Sequence, residues 1–145
     1  MFKHLLLPTD GSGTSEAAVR KGLQFAKEQQ ARVTAVHVVP EFHTLTYRTT
    51  MLEDTREEFI AECKAQAQKF LSEVERAAKE EGVACRTVMI THDHPHEAIN
   101  DTAAQSGCDL IVMASHGRRG IKGLLLGSET QKVLTHATLP VLVLR

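Results

Sequence analysis

The sequence has few cysteines, almost no net charge and no long apolar run, and each shortage argues against a class of protein. Its three cysteines, Cys63, Cys85 and Cys108, are odd in number and form no C-x-x-C pair. This argues against a disulfide framework or a zinc finger and fits a reducing cytoplasm. The formal net charge of −1 gives no field that would attract nucleic acid or an anionic membrane. The first apolar run is too short for a signal peptide, and no later run approaches a membrane span. We therefore expect a cytoplasmic protein that binds neither nucleic acid nor membrane.

What is present is an ordinary globular composition. Hydrophobic residues make up 42% of the 145 residues and charged residues 24%. A chain of this length can bury a substantial core, so we predict one domain over residues 1–145.

Apolar periodicity divides the chain into alternating strands and helices. Apolar, β-branched runs predict strands over 2–8, 32–39, 83–90, 109–114 and 140–145. Apolar residues in steps of three and four predict helices over 15–30, 54–81, from Pro95 to a stop at Gly107, and over 128–135. Ser12 or Thr14 is available to cap the first helix, and Gly82 is placed to end the second.

The alternation of elements predicts the fold class. Strands that alternate with helices indicate an α/β protein with one doubly wound parallel sheet, a Rossmann-like architecture with helices on both faces. For five strands we expect the order 3-2-1-4-5. Strands 1 and 4 are then neighbours at the point where the winding reverses, which is where such sheets bind ligands.

The loops after strands 1 and 4 are the two most glycine-rich polar loops of the chain. They read TDGSGTS (9–15) and SHGRRGIKG (115–123), and the predicted order makes them face each other across one crevice. Gly127 and Ser128 begin a helix, where free N–H groups and the helix dipole attract an anion, and Arg118, Arg119 and Lys122 could neutralise further charge. The pattern favours a phosphate-containing ligand as much as it favours a surface loop with solvated arginines. Neither G-x-G-x-x-G nor a P-loop motif is present.

These residues resemble the universal stress proteins of the UspA type, and the resemblance extends over nearly the whole chain. It rests on LLLPTDGS, AVHVV, CDLIVMASHGRRG, LLLGS and the terminal PVLVLR. Nucleotide-binding members of that family carry G-x-x-G, nine residues, then G-[ST]. Here nine residues separate Gly117 from Gly127-Ser128, while Ala114 stands at the first glycine. Glu129 follows, where a small or apolar residue is usual.

The resemblance implies an adenine nucleotide alpha hydrolase-like fold and a stress-response module that binds ATP with Mg²⁺ or Mn²⁺. Pro8, Thr9 and Asp10 would meet the nucleoside, and the main chain of Val38 would read the adenine edge. Met113 and Ala114 would line the ribose. The phosphates would lie against Gly117, Gly127, Ser128 and the main chain of Glu129. The family also suggests a homodimer paired through Val141, Leu142, Val143 and Leu144, a terminal apolar strand of the kind that readily accepts a partner strand.

Two other function classes remain open. An enzyme on a related sheet, such as a nucleotidyl transferase or an ATP pyrophosphatase, would be expected to carry H-x-G-H or S-G-G-x-D-S, and the chain has neither. Nothing supplies a convincing general base or nucleophile, so the sequence predicts at most slow ATP hydrolysis. A dimeric protein-interaction module that has lost its nucleotide is the other alternative, and Ala114 and Glu129 favour it.

Four further features have less specific interpretations. His92, His94 and His96 in THDHPHEAI are weak metal candidates, and a polar loop with a helix cap is the simpler interpretation. That loop is expected to lie further out than the crevice. His37, in mid-strand, is expected to be packed rather than a ligand, and His116 near Asp10 and Ser12 lacks the G-x-S-x-G context of a catalytic triad. The irregular stretch 41–53 is either a lid over the crevice or a disordered segment.

Overall fold

The structure is a computed structural model that describes residues 1–41, 53–117 and 125–145, with only the backbone described at 53–55. It contains five strands: β1 (His4–Pro8), β2 (Arg32–Val39), β3 (Cys85–Thr91), β4 (Leu110–Ala114) and β5 (Val141–Leu144). Its four helices are α1 (Gly13–Gln29), α2 (Glu53–Glu81), α3 (Pro95–Gln105) and α4 (Ser128–His136). The predicted stretch 41–53 falls almost entirely outside the described residues.

All five strands are parallel and lie in the order β3-β2-β1-β4-β5, which confirms the predicted topology. Leu5 pairs with Leu110 and Leu6 with Ile111, so β1 and β4 are the neighbours at which the winding reverses. The loops that follow these two strands therefore leave the same edge of the sheet side by side.

The sheet is buried between two pairs of helices, because its central strands are apolar on both faces. One face packs against α1 and α2, and the other against α3 and α4. The first core contains Leu5, Leu7, Leu23, Val33, Leu71 and Val112 among others, and the second contains Leu6, Val36, Ile99, Ile111, Met113 and Val133 among others. At Gly22 the helix α1 approaches β1 so closely that a Cβ would lie 2.7 Å from Cδ2 of Leu7.

Capping residues next to the helices mark two of their ends, as predicted. Ser12 caps α1, and its hydroxyl accepts a hydrogen bond from the N–H of Ser15. Gly82, directly after α2, has a φ of +73°, the left-handed conformation that glycine adopts without strain.

Two strand starts differ from the prediction by two residues. The N–H of Val83 donates to the carbonyl of Ala78, so Val83 belongs to the closing turn of α2 rather than to β3. The N–H groups of Lys3 and His4 both donate to the carboxylate of Asp109, and β1 begins at His4.

The three cysteines are free thiols. Among the helices as far as the structure describes them, none is both long enough and apolar enough to cross a membrane.

Candidate functional site

The loop after β1 is held in shape by its own hydrogen bonds. The N–H of Ser12 donates to Oδ1 of Asp10 at 2.9 Å, and the Ser15 hydroxyl donates to Oγ1 of Thr9 at 3.0 Å. The N–H of Asp10 donates to the Ser15 hydroxyl at 3.2 Å. This Asx-type turn is a local consequence of the sequence Asp-Gly-Ser, and it fixes the position of the Asp10 carboxylate at the end of β1.

The loop after β4 packs against the start of α4. The N–H of Gly127, the residue that precedes the helix, donates to the carbonyl of Ser115 at 2.6 Å. A Cβ at Gly127 would lie 3.2 Å from that carbonyl oxygen and 3.3 Å from Cα of His116. The backbones of the two segments can approach this closely because residue 127 has no side chain.

Asp10 and Gly117 bring the two loops together. Oδ2 of Asp10 lies only 2.5 Å from the position that a Cβ of Gly117 would take. The sequence prediction that these loops face each other across the switch point is therefore confirmed by a direct approach of one loop to the other.

The first turn of α4 adds hydrogen-bond donors beside this contact. The N–H groups of Ser128, Glu129 and Thr130 have no acceptor within their own helix, as in any first turn. Gly127, the N-cap residue of α4, has no side chain that could accept from these N–H groups. A helix start of this kind attracts a phosphate through its free N–H groups and its dipole.

Two side chains that sequence reasoning did not connect to the crevice support the loop after β1. Nδ1 of His37 lies 2.8 Å from the carbonyl oxygen of Thr9, which can only accept, so the ring donates there. The His37 ring packs against Phe70 of α2, with 5.7 Å between ring centroids. The Phe70 ring occupies the space of a Cβ at Gly11, whose φ is +77°. Only glycine therefore fits at this turn.

A hydrogen bond from Thr130 links α4 to the end of β4. The buried hydroxyl of Thr130 donates to the carbonyl of Ala114 at 2.9 Å. Met113 and Ala114 are themselves buried, and Met113 packs in the core under α3 and α4. The signal that could have suggested Thr130 is its place three residues after the N-cap Gly127, on the helix turn that faces the strand end.

Most of the predicted site residues come from strand and helix ends at one edge of the sheet. These are Pro8, Thr9, Asp10, Val38, Met113, Ala114, Gly117, Gly127, Ser128 and Glu129. Val38 is half-buried near the end of β2, the strand beside β1. Arg118, Arg119 and Lys122 lie outside the described residues. The hydroxyl of Ser115 lies beside His116, with 3.0 Å between Oγ and Nδ1.

The histidines of THDHPHEAI form a row of rings rather than a cluster around one point. The ring centroids of His92 and His94 are 6.1 Å apart, as are those of His94 and His96, and His136 of α4 lies 5.2 Å beyond His96. Among the described residues, no group of three His, Cys, Asp or Glu side chains is arranged to hold a metal ion. The structure therefore gives the weak metal candidates no support.

The same region contains a contact that the sequence analysis did not foresee. The loop after β3 was expected to lie away from the crevice, yet α3 carries His96 to within 3.7 Å of Glu129 at the start of α4. The reason is the crossover from β3 to β4, which takes α3 across the sheet until it packs on α4.

A groove of about 630 Å³ lies between α1 and α2 and reaches Thr9 and Gly11. A smaller cavity of about 190 Å³ lies beside the ends of β2 and β3, at Val39 and Thr91.

Comparison with known proteins places this arrangement among related chains. Residues 1–145 match the sequence profile described as Universal stress protein family. Universal stress protein YxiE of Bacillus subtilis is 36% identical, with all of both chains covered. Universal stress protein MJ0577 of Methanocaldococcus jannaschii is 30% identical over all of this chain and 96% of its own. Its solved structure superposes with a TM-score of 0.84 over 99% of this chain and 96% of that chain. A universal stress protein solved in complex with cAMP has the same fold, with 22% identity, a TM-score of 0.70 and coverage of 99% and 97%.

Proposed function

The chain belongs to the universal stress protein family, and on that premise we propose that it is a stress-response regulatory module that binds ATP together with a divalent ion. The nucleotide would lie in the crevice between the loops after β1 and β4. The protein would act in the cytoplasm as a homodimer. The three free thiols fit that reducing compartment.

The observation that carries the proposal is the close approach of Asp10, Gly117 and Gly127 beside the start of α4. A Cβ at Gly117 would press on Asp10, and a Cβ at Gly127 would press on the backbone of residues 115 and 116. The two glycines therefore allow the backbone of the loop after β4 to lie close to the start of α4, and a helix N-terminus of this kind suits a phosphate group. A relative of the same fold was solved with cAMP, which is consistent with an adenine nucleotide as ligand.

The nucleoside end would follow the family pattern. Pro8, Thr9 and Asp10 would contact the nucleoside, and the main chain of Val38 would read the adenine edge. Met113 and Ala114 would line the ribose. Arg118 and Arg119 would add phosphate contacts from the loop after β4.

The divalent ion would be Mg²⁺ or Mn²⁺, bound mainly by the phosphate oxygens of ATP. Of the two nearby carboxylates, Asp10 already accepts from the N–H of Ser12, and Glu129 is held by Lys132. Mg²⁺ is commonly bound through substrate phosphates with few protein ligands, so this poor donor set is compatible with the ion.

The homodimer would form along the outer edge of β5, the last strand of the sheet among the described residues. The N–H of Ile111 donates to Pro140 and that of Ser115 to Leu144, so alternate residues of β5 turn their backbone groups toward β4. The N–H and carbonyl groups of Val141 and Val143 therefore point away from the sheet. A second copy could pair with them by a two-fold axis, which would cover the edge and close the assembly.

The alternative is a dimeric protein-interaction module without a nucleotide. One observation favours it. The N–H of Gly127, at the proposed phosphate site, already donates to the Ser115 carbonyl and is therefore not available to a phosphate. Ala114 and Glu129, which depart from the nucleotide-binding pattern, point the same way.

Calorimetric titration with ATP and Mg²⁺, together with thermal unfolding, distinguishes the two. We expect measurable heat and a raised Tm. Neither heat nor a shift in Tm at millimolar Mg-ATP would establish the ligand-free module instead.

A further inference from the structure

Glu129 occupies a position where a carboxylate would ordinarily compete with a bound phosphate. It is the second residue of α4, and an acidic side chain there can turn back to the free N–H groups of the first turn. Gly127, the N-cap residue, has no side chain that could cap that turn. The Glu129 carboxylate is directed toward Lys132 and His96.

Two side chains account for that direction. Nζ of Lys132 lies 3.2 Å from Oε1 of Glu129 and draws the carboxylate along the helix, away from its N-terminus. On the other side, Nδ1 of His96 faces Oε2 at 3.7 Å. Both of these atoms are buried, and neither has a hydrogen-bond partner among the described residues, so the 3.7 Å approach is a close contact and not a hydrogen bond.

His96 is itself held in place. Its side chain is only 12% exposed, because it projects from α3 into the contact with α4. The His136 ring packs against it with 5.2 Å between centroids, and the carbonyl of Lys132 in turn anchors Nδ1 of His136 at 2.9 Å. A ring fixed from two helices can fix the carboxylate that it faces.

We propose that His96 is a positioning residue for the nucleotide site: with Lys132 it holds the Glu129 carboxylate against the side of α4 and so keeps the first-turn N–H groups free for the ligand's phosphates. This inference rests on the proposed function. It explains how a chain with glutamate at position 129 retains a phosphate-binding helix start.

The test compares four proteins by calorimetric titration with Mg-ATP: the parent, His96→Ala, Glu129→Gln and the double variant. In His96→Ala the carboxylate loses one of its two partners and turns to the first turn of α4, so we expect ATP to bind about threefold to tenfold more weakly, the range that helix-end charges produce. Binding of AMP, which places less charge at the helix start, should weaken less. Asp101→Asn serves as the control on the same helix, because Asp101 is exposed on α3; it should bind ATP as the parent does.

The double variant separates positioning from a general structural loss. Glutamine at position 129 carries no charge that could compete with the phosphates. His96→Ala in the Glu129→Gln background should therefore leave the affinity for ATP unchanged. A persistent loss in that background, or unaltered binding by His96→Ala alone, would overturn the inference while leaving the nucleotide site in place. Failure of the parent protein to bind any nucleotide would instead refute the proposed function, and the inference with it.

Discussion

Asp10 and Gly117 meet across the gap between the loops that follow β1 and β4. Oδ2 of Asp10 lies 2.5 Å from the place that a Cβ of Gly117 would take, while Oδ1 of the same carboxylate accepts the N–H of Ser12. The carboxylate thus fits between its own turn and the opposite loop. Any side chain at 117 has to displace one of them.

The first prediction follows from this contact. Gly117→Ala should weaken Mg-ATP binding by about tenfold or more, about 1.4 kcal/mol, because the added methyl group forces Asp10 out of the position that it takes beside the crevice. Gly13→Ala is the matched control, since a Cβ there meets no atom within 4 Å. Titration calorimetry on both variants provides the comparison. Equal affinities in the two variants would show that the Asp10–Gly117 contact has no part in binding.

The second prediction concerns the proposed phosphate site at the start of α4. Gly127→Asp should abolish nucleotide binding and leave the dimer intact, because a carboxylate would enter at the helix start and repel phosphate. Gly127→Ala tests the steric effect without the added charge, because a Cβ at this position would lie 3.2 Å from the Ser115 carbonyl oxygen. Calorimetry measures binding, and light scattering measures assembly. If Gly127→Asp binds as tightly as the parent, the phosphates are held elsewhere.

The third prediction concerns assembly. The parent should be a dimer at micromolar concentration, and Val143→Pro should shift it toward monomer or insolubility, because proline removes an N–H that points to the open edge of β5. Val143→Ala keeps that N–H and should remain dimeric. Light scattering decides between these outcomes, and a monomeric parent would be incompatible with the proposed pairing whatever the nucleotide result.

The fourth prediction concerns His4, which lies at the end of the sheet opposite to the loops that follow β1 and β4. His4 is buried with Nε2 2.8 Å from the Thr34 hydroxyl, and burial, followed by the charges of Arg32 and Arg86, holds the pKa of His4 below its usual 6.5. The unfolded chain therefore takes up this proton at a higher pH than the folded protein does. The stabilising contribution is fully present above about pH 6.5 and declines as the pH falls toward the folded-state pKa.

Urea unfolding at several pH values between 5 and 7.5 measures this effect. The free energy of unfolding should rise with pH in the parent and rise less steeply in His4→Gln, which carries no titrating ring at that position. The same slope in both proteins would assign the pH dependence to other groups.

The sequence by itself determined the elements and their order, and with them the convergence of the loops after β1 and β4. Apolar runs such as 32–39 identify strands, and Ser12 and Gly82 mark helix ends through contacts within a few residues. Alternating strands and helices then restrict the sheet to an order in which the loops after β1 and β4 converge. The spacing of Gly117 and Gly127-Ser128 marked two glycines at which a Cβ would meet neighbouring atoms closely, because a close approach of two backbones favours glycine.

Only the tertiary structure decided what those residues touch. That Asp10 fills the space beside Gly117, that the Phe70 ring excludes a side chain at Gly11, and that His96 reaches Glu129 all depend on segments far apart in the chain. The direction of the Val143 backbone groups is likewise set by which residues of β5 pair with β4. Periodicity fixes which face of an element is buried, but not which atoms of two distant elements meet, because that depends on how whole helices pack across the sheet.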